Sequence, residues 1–276
     1  MTGLTDRKQL QRFRTRAIRA GHADFLHRTV AAELQERLFE VNKSFTDQGV
    51  VTGFPDLWRG LWPGAATIDD TDLLAVSERQ YDLLVHALAL HWADDPIGQL
   101  IQARRALRPD GLFLGCLPGG STLATLRATL AEAEVALSGG LSPRVAPMAE
   151  IRDLGGLMQR AGFAMPVADT LTLKAEYRDL FHLLRDLRAM GESNALAARH
   201  RRAPPRSLFV KADALYPRQS DGGIVAEFEI IFLAGWAPAA GQPKPLRPGS
   251  ATNRLAEALG GAEVTLPGTM PGRDRD

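Results

Sequence analysis

One strand–helix–strand unit, from Tyr81 to Gly120, constrains the fold more than any other stretch of the chain. It opens with a short apolar run between polar segments, which is typical of a buried parallel strand. Asp95 and Pro96 then supply the N-cap and the first-turn proline of an amphipathic helix, and Leu112–Cys116 forms a second apolar strand. Parallel strands joined by a crossover helix predict an α/β sheet, in which functional residues lie at the carboxyl ends of the strands.

Composition and charge narrow the class of protein. With 276 residues, of which 45% are hydrophobic and 24% charged, the chain is long enough for one large α/β domain. A formal net charge of +1 gives no reason to expect a nucleic-acid partner or an acidic membrane. The single cysteine, Cys116, falls inside an apolar strand, which excludes a disulfide framework and a cysteine-based metal site and suits a reducing cytoplasm. Because no apolar run approaches the roughly 20 residues of a membrane span, we expect a cytoplasmic protein without such a span.

Three regions are predicted along the chain. Residues 1–45 form an N-terminal helical extension, residues 46–238 an α/β domain, and residues 239–276 a tail rich in proline and glycine. The extension contains two predicted helices and is crowded with arginines, namely Arg12, Arg14, Arg16 and Arg19. These arginines form either a solvated face or a binding surface for an anionic ligand.

The turn after the first predicted strand departs from the pattern of a nucleotide-binding sheet. Residues 49–53 are short, β-branched and bounded by glycine, which predicts a strand. A glycine-rich turn should follow, because its backbone N–H groups approach the ligand and open a helix. Here Phe54 adds bulk after Gly53, and Pro55 removes an N–H donor, although proline is also an ordinary first-turn helix residue. Whether Pro55 only removes a donor or also begins a helix, the turn is less suited to bind a cofactor.

Two aspartates, Asp69 and Asp70, follow the second predicted strand, Ala65–Ile68. A ribose-binding acid is usual at this strand end, about 20 residues after the glycine turn. The span from Gly53 to Tyr81 has room for about one helix–strand unit and a loop, because crossovers need a dozen or more residues. We therefore predict that one unit of the cofactor-binding half is missing.

Candidate site residues also follow the strand that opens the central unit. This strand is expected to continue to His91 and Trp92, which either border a pocket or form a satisfied histidine beside a core tryptophan. His86 and His91 would point to opposite faces of one strand, so no metal site is expected. After the next strand, Gly119 and Gly120 allow a ligand to approach the backbone closely.

The remaining pattern completes the sheet. Val167–Leu173 and Ile224–Trp236 alternate as strands do, with a charged helical segment from Tyr177 to Met190 between them. We predict one sheet with helices on both faces, in which the strands are mostly parallel and the last strand is antiparallel.

Several motifs in the chain resemble a known family. They are Leu88–Asp94, Leu107–Gly111, Arg14–Ala17, Asp24–His27, Gly119–Leu123 with Arg127, Asp153–Gly155, Met190–Asn194 and Gly249–Thr252. In Leu88–Asp94, Leu107–Gly111 and the pair of terminal strands, the chain resembles class I S-adenosylmethionine-dependent methyltransferases. More narrowly, it resembles the complex I assembly factor 5 family and its bacterial relatives, which are similar to malonyl-carrier-protein methyltransferases. The matching stretches cover most of residues 10–255 in order.

The resemblance implies a Rossmann-like class I methyltransferase sheet, here with a shortened cofactor-binding half, and S-adenosylmethionine as the cofactor. It implies cofactor contacts at Gly53, Asp69, Asp70, His86 and Ala87, a substrate pocket at Gly119, Gly120, Thr122 and Arg127, and candidate catalytic residues His91 and Trp92.

Two functions are compatible with these residues. The first is methyl transfer to a protein or carrier-bound substrate, such as a subunit of respiratory complex I; methyl transfer mainly needs positioning of the reactants. The second is a non-methylating complex I assembly factor, of scaffold or arginine-hydroxylation type, that holds its partner with the arginine-rich N-terminus and the Met190–Asn194 segment. The poor glycine turn predicts weak binding of S-adenosylmethionine, or none.

Overall fold

The structure is a computed structural model that describes residues 3–146 and 148–242. The chain divides into a compact unit, Met1–Ala239, and a second unit, Ala240–Asp276. The Gly249–Thr252 motif and most of the predicted tail lie outside the described residues. The three-region division of the chain stays a prediction.

Helices and strands alternate through the first unit. In chain order they are α1 (Arg7–Arg19), α2 (Phe25–Phe39), β1 (Gln48–Thr52), α3 (Pro55–Leu61), β2 (Ala66–Asp69), β3 (Tyr81–Ala87), α4 (Pro96–Ala106), β4 (Leu107–Pro118), α5 (Ala124–Ser138), α6 (Ile151–Arg160), β5 (Ala164–Tyr177), α7 (Leu180–Ala189), α8 (Arg206–Leu215) and β6 (Ile224–Trp236). None of the helices in the described part of the chain combines the length and the apolar character needed to cross a membrane.

The six strands form one sheet in the order β2-β1-β3-β4-β6-β5. Strands β1 to β4 are parallel, and β6 runs antiparallel to both β4 and β5. The prediction of a mostly parallel sheet with an antiparallel last strand is confirmed. This topology agrees with the Rossmann-like sheet that the resemblance implies. In a doubly wound sheet of order 3-2-1-4-5, a third strand pairs with the outer side of the second strand and forms the edge of the sheet. In the described residues no such strand is present, and β2 itself forms the edge. The short span from Gly53 to Tyr81 leaves no room for the missing strand.

Helices cover both faces of the sheet, and each face has its own core. One core joins α2, α3, α5, α7 and α8 to the sheet through large side chains such as Trp58 and Phe232. The other core joins α4 and α6 to the opposite face through Leu100, Phe113 and Met158. Burial on both faces explains why β3 is an almost continuous apolar run.

One local prediction is wrong, and one helix was not predicted. Strand β3 ends at Ala87 and does not continue to Trp92, because Leu88 adopts a left-handed φ of +48° and donates its N–H to the Cys116 carbonyl. A single 3-10 turn, Leu90–Trp92, follows. Helix α8 was not predicted, because its short apolar stripe lies directly after the proline-containing connector.

Candidate functional site

Two cavities open at the carboxyl end of the parallel strands, where an α/β sheet binds its ligands. The first, which we call the turn cavity, has a volume of about 860 Å³ and lies between α1, the turn after β1 and the end of β2. The second, which we call the apolar pocket, has a volume of about 400 Å³ and lies between the end of β3, α5 and α7. The predicted site residues are divided between these cavities and their surroundings.

The side chain of Arg14 covers the turn after β1. A Cβ atom built on Gly53 would lie 2.1 Å from Arg14 Cζ, so the guanidinium lies directly on the glycine. Arg14 is buried, and its Nη1 donates a 2.8 Å hydrogen bond to Asp70 Oδ1. Arg7 lies 3.4 Å from the same carboxylate and donates to the Asp70 carbonyl at 3.0 Å. Helix α1 therefore places a buried ion pair where such a sheet brings its ligand closest to the backbone.

The Arg14 guanidinium is only partly satisfied. Its Nε and Nη2 have no hydrogen-bond partner within residues 3–146 and 148–242. Its Cζ lies 5.6 Å from the centre of the Phe54 ring, which provides a cation–π contact. Buried N–H groups without an acceptor are costly, so this arginine retains the capacity to bind an oxygen ligand.

The side chain of Phe54 packs into the hydrophobic core and also lines the turn cavity. Its ring is buried with Trp58 and stacks on His22 at 4.3 Å. Its N–H donates to Thr52 Oγ1 at 3.2 Å, and Pro55, the first residue of α3, has no N–H. The turn therefore supplies few free backbone donors to a ligand.

Asp69 and Asp70 differ in their environments although they are neighbours. Asp70 is buried and occupied by arginines. Asp69, the last residue of β2, is exposed, and its carboxylate has no hydrogen bond or ion pair in the described part of the chain. A free carboxylate at this strand end is placed as a ribose-binding acid would be.

His91 and Trp92 lie in the 3-10 turn after β3 and line the apolar pocket. Trp92 Nε1 donates a 2.8 Å hydrogen bond to Glu192 Oε2, and His91 Nε2 lies 3.3 Å from the same oxygen. His91 Nδ1 is buried and has no partner among the described residues. Much of the remaining wall is apolar, from side chains such as Leu26, Leu123, Leu126, Leu187, Phe209 and Phe228.

One oxygen of Glu192 is held, whereas the other is free. Both contacts use Oε2, and no hydrogen bond from the described residues reaches Oε1. Burial raises the pKa of Glu192, but the contacts with His91 and Trp92 and the charge of Arg14 outweigh burial and hold this pKa below its ordinary value. Glu192 is therefore a carboxylate at neutral pH.

The turn after α7 aims Glu192 at the pocket. Gly191 has a φ of +81°, and the N–H groups of Gly191 and Glu192 donate to the carbonyls of Arg188 and Leu187, at 3.1 Å each. A glycine in this conformation is the usual way to end a helix. A Cβ on Gly191 would lie 3.1 Å from the Phe54 ring. Both conformation and space therefore favour glycine before Glu192.

Of the four residues predicted around the loop after β4, Thr122 lines the apolar pocket, and Gly119, Gly120 and Arg127 line neither cavity. The space beside Gly119 is taken by Glu229, whose Oε2 would lie 2.4 Å from a Cβ built there. Arg127 Nη2 donates to the Gly120 carbonyl at 3.3 Å. The binding roles of these residues stay predictions.

His86 and Ala87 are fully buried in β3 and line neither cavity. His86 Nε2 lies 2.9 Å from Gln99 Oε1, and Gln99 donates in turn to the Thr71 carbonyl at 3.0 Å. Burial lowers the pKa of His86 to about 4, so the ring is neutral near pH 7. Within residues 3–146 and 148–242 there is no group of three or more His, Cys, Asp or Glu side chains that could hold a metal ion.

Sequence reasoning placed Arg14 and Glu192 on a surface that holds a partner, and it did not predict their contacts within the two cavities. Arg14 was grouped with the surface arginines, which is wrong, because α1 buries Leu10, Arg14 and Ala17 on one face. Their i, i+4, i+7 spacing is a signal that points to this face. The contact between Glu192 and Trp92 joins residues 100 positions apart, so no local pattern reveals it.

Comparisons with known proteins find relatives of this chain. The sequence is 35% identical over 198 residues to arginine-hydroxylase NDUFAF5, mitochondrial, of Danio rerio, and the match spans 71% of this chain. The chain spans only 43% to 61% of the length of the NDUFAF5 relatives from Danio rerio, Dictyostelium discoideum and Homo sapiens, to which it is similar. No family model matches the sequence.

Methyltransferases are also similar to the chain. The malonyl-[acyl-carrier protein] O-methyltransferase of Laribacter hongkongensis is 33% identical over 172 residues, which cover 62% of this chain and 56% of that protein. A solved putative methyltransferase from Bacillus halodurans is 11% identical, with a TM-score of 0.48, over 76% of this chain and 99% of its own.

The prediction of a cytoplasmic location is wrong. It is overturned by the similar proteins from Danio rerio, Dictyostelium discoideum and Homo sapiens, which are named as mitochondrial.

Proposed function

We propose that the chain is an assembly factor of the NDUFAF5 type that acts on an arginine-bearing segment of a respiratory complex I subunit. The observation that supports this most is the apolar pocket, in which one ionised carboxylate stands among largely apolar walls at the end of β3. The mitochondrial relatives carry the name arginine-hydroxylase, which supports an arginine in a protein as the target.

The border of the apolar pocket also favours a protein substrate. Arg16 and Arg188 are exposed, border the pocket and form no ion pair in the described part of the chain. Protein interfaces commonly combine an apolar centre with a charged rim that orients the partner. A pocket of this kind suits insertion of one side chain from a bound segment.

Filling the apolar pocket is expected to reduce complex I assembly. Leu184 is half-buried on α7 and lines the pocket, so Leu184→Trp places a large ring in the space proposed for the substrate. In a strain lacking the native protein, this variant should restore about tenfold less complex I activity than the native chain at equal protein abundance, as expected for a loss of about 1.4 kcal/mol of substrate binding. Leu157→Trp, at a half-buried leucine of α6 outside both cavities, is the matched control. Equal rescue by both variants would contradict the proposal.

A second candidate function, S-adenosylmethionine-dependent methyl transfer, is favoured by the free carboxylate of Asp69 and by the methyltransferase relatives. The residues around Gly53 do not fit the cofactor in the conformation described. The Arg14 guanidinium covers the glycine, and Pro55 offers no N–H. We therefore rank this function second, and affinity for S-adenosylmethionine discriminates between the two.

A further inference from the structure

Resting on the function proposed above, we propose that Glu192 binds the guanidinium group of the substrate arginine, and that Arg16 and Arg188 bind carboxylates that flank this arginine in the substrate. Glu192 is then the residue that determines specificity for a cationic side chain. The partner is an acidic protein segment with an arginine at its centre.

The first support is the way in which the Glu192 carboxylate is held. Trp92 Nε1 fixes Oε2 at 2.8 Å, and His91 Nε2 lies 3.3 Å from the same atom, so the orientation of the carboxylate is set before a ligand binds. Oε1 accepts no hydrogen bond from the residues that the structure describes. A fixed carboxylate with one unused oxygen is an acceptor for an N–H donor, and a cationic donor forms the stronger bond.

The second support is the shape and polarity of the pocket. Arginine has an apolar stem and a flat cationic end, and its guanidinium is more weakly hydrated than the ammonium of lysine. The walls include Leu187 and Phe228 for the stem, and the Trp92 indole lies beside the carboxylate, where a planar guanidinium can stack. Arginine therefore matches this pocket better than lysine does.

The third support is the charge at the border. Two exposed cations without an ion-pair partner in the described residues, Arg16 and Arg188, would repel an isolated arginine. Carboxylates on either side of the substrate arginine turn this repulsion into attraction. The charge pattern from border to interior is positive, then negative, and the complementary segment is acidic, then basic, then acidic.

The test measures binding of defined peptides to the full chain. The probe is acetylated Gly-Glu-Arg-Glu-Gly amide, and the readout is the indole N–H signal of Trp92 in a nitrogen–proton correlation spectrum, identified by its loss in Trp92→Phe. We expect the arginine peptide to shift this signal. The same peptide with citrulline, which keeps the shape and removes the charge, should bind at least about tenfold more weakly. Equal binding of the citrulline peptide, or tighter binding of a lysine peptide, overturns the proposal without any variant.

Variants then locate the contact. Glu192→Gln keeps a hydrogen-bond acceptor and removes the negative charge. It should therefore weaken binding of the arginine peptide about tenfold or more, and leave the weak binding of the citrulline peptide unchanged. Glu132→Gln, at an exposed carboxylate of α5, is the matched control. The double change Arg16→Gln with Arg188→Gln should abolish the preference for glutamate-flanked over glycine-flanked peptide. Unchanged arginine affinity in Glu192→Gln, or an unchanged flank preference in the double variant, contradicts the assignment.

Failure of the proposed guanidinium site and failure of the proposed assembly function give different experimental results. Specific arginine-peptide binding by a native chain that does not restore complex I activity rejects the assembly function and keeps the guanidinium site. Loss of rescue by Leu184→Trp without arginine-peptide preference keeps the assembly function and rejects the site.

Discussion

Replacing Arg14 by methionine is expected to lower the free energy of unfolding by about 3 kcal/mol, the lower end of the range for breaking a buried ion pair by removing one partner. The Arg14 and Asp70 side chains are only 3% and 10% exposed, so the change leaves a carboxylate with little access to water. Arg7 still lies 3.4 Å from that carboxylate, which is why we expect the lower end. Urea denaturation gives the value directly.

Two further variants separate loss of charge from loss of packing. Arg12→Met, at an exposed position of the same helix, should change the free energy of unfolding by no more than about 0.5 kcal/mol. Adding Asp70→Asn to Arg14→Met removes the uncompensated charge and should recover part of the stability. Equal effects of the Arg12 and Arg14 substitutions would show that the ion pair is unimportant for stability.

Acidification is expected to destabilise the chain steeply between pH 6.5 and pH 4. Burial lowers the pKa of His27 to about 3 and that of His86 to about 4, whereas an unfolded histidine titrates near 6.5. Over this window the unfolded state binds more protons than the folded state, so stability rises with pH and is lost as pH falls. By pH 4 each histidine should cost on the order of 3 kcal/mol of the free energy of unfolding.

The contribution of one histidine can be isolated. His27 Nδ1 accepts a 3.0 Å hydrogen bond from Trp58 Nε1, and a glutamine oxygen can take over this contact. The free energy of unfolding of His27→Gln should therefore fall about half as steeply between pH 6 and pH 4.5 as that of the native chain. His200→Gln, at an exposed histidine, should keep the native slope. A native slope in His27→Gln would contradict burial of a neutral ring.

The fold was largely predictable because its signals are local. Strand β3 is apolar on both faces, and buried and less buried residues alternate over much of β6. Each of these patterns predicts a strand from a few consecutive residues. The absence of one helix–strand unit from the cofactor-binding half of the sheet was predictable from the small number of residues between Gly53 and Tyr81. The end of β3 was misplaced because the left-handed Leu88 interrupts an apolar run without a glycine or proline to mark the turn.

Part of the candidate site was predictable from the sequence, whereas its contacts were not. Trp92, Asp69 and most of the Met190–Asn194 segment line the two cavities. Other predicted residues line neither cavity, namely His86, Ala87, Gly119, Gly120 and Arg127. The covering of Gly53 by Arg14 depends on where α1 packs against the sheet, which is decided by tertiary contacts. Residue type alone does not distinguish the buried Arg14 from the exposed arginines of the same helix.

Arg14 covers Gly53 in the turn where a sheet of this kind would bind its cofactor. Calorimetric titration of the full chain with S-adenosylmethionine tests this central claim most directly. Because Arg14 lies on Gly53 and Pro55 removes a donor, we expect no binding, or a dissociation constant no better than about 1 mM, equivalent to about −4 kcal/mol. A dissociation constant of about 1 μM, equivalent to about −8 kcal/mol, would contradict the claim and restore methyl transfer as the function of the chain.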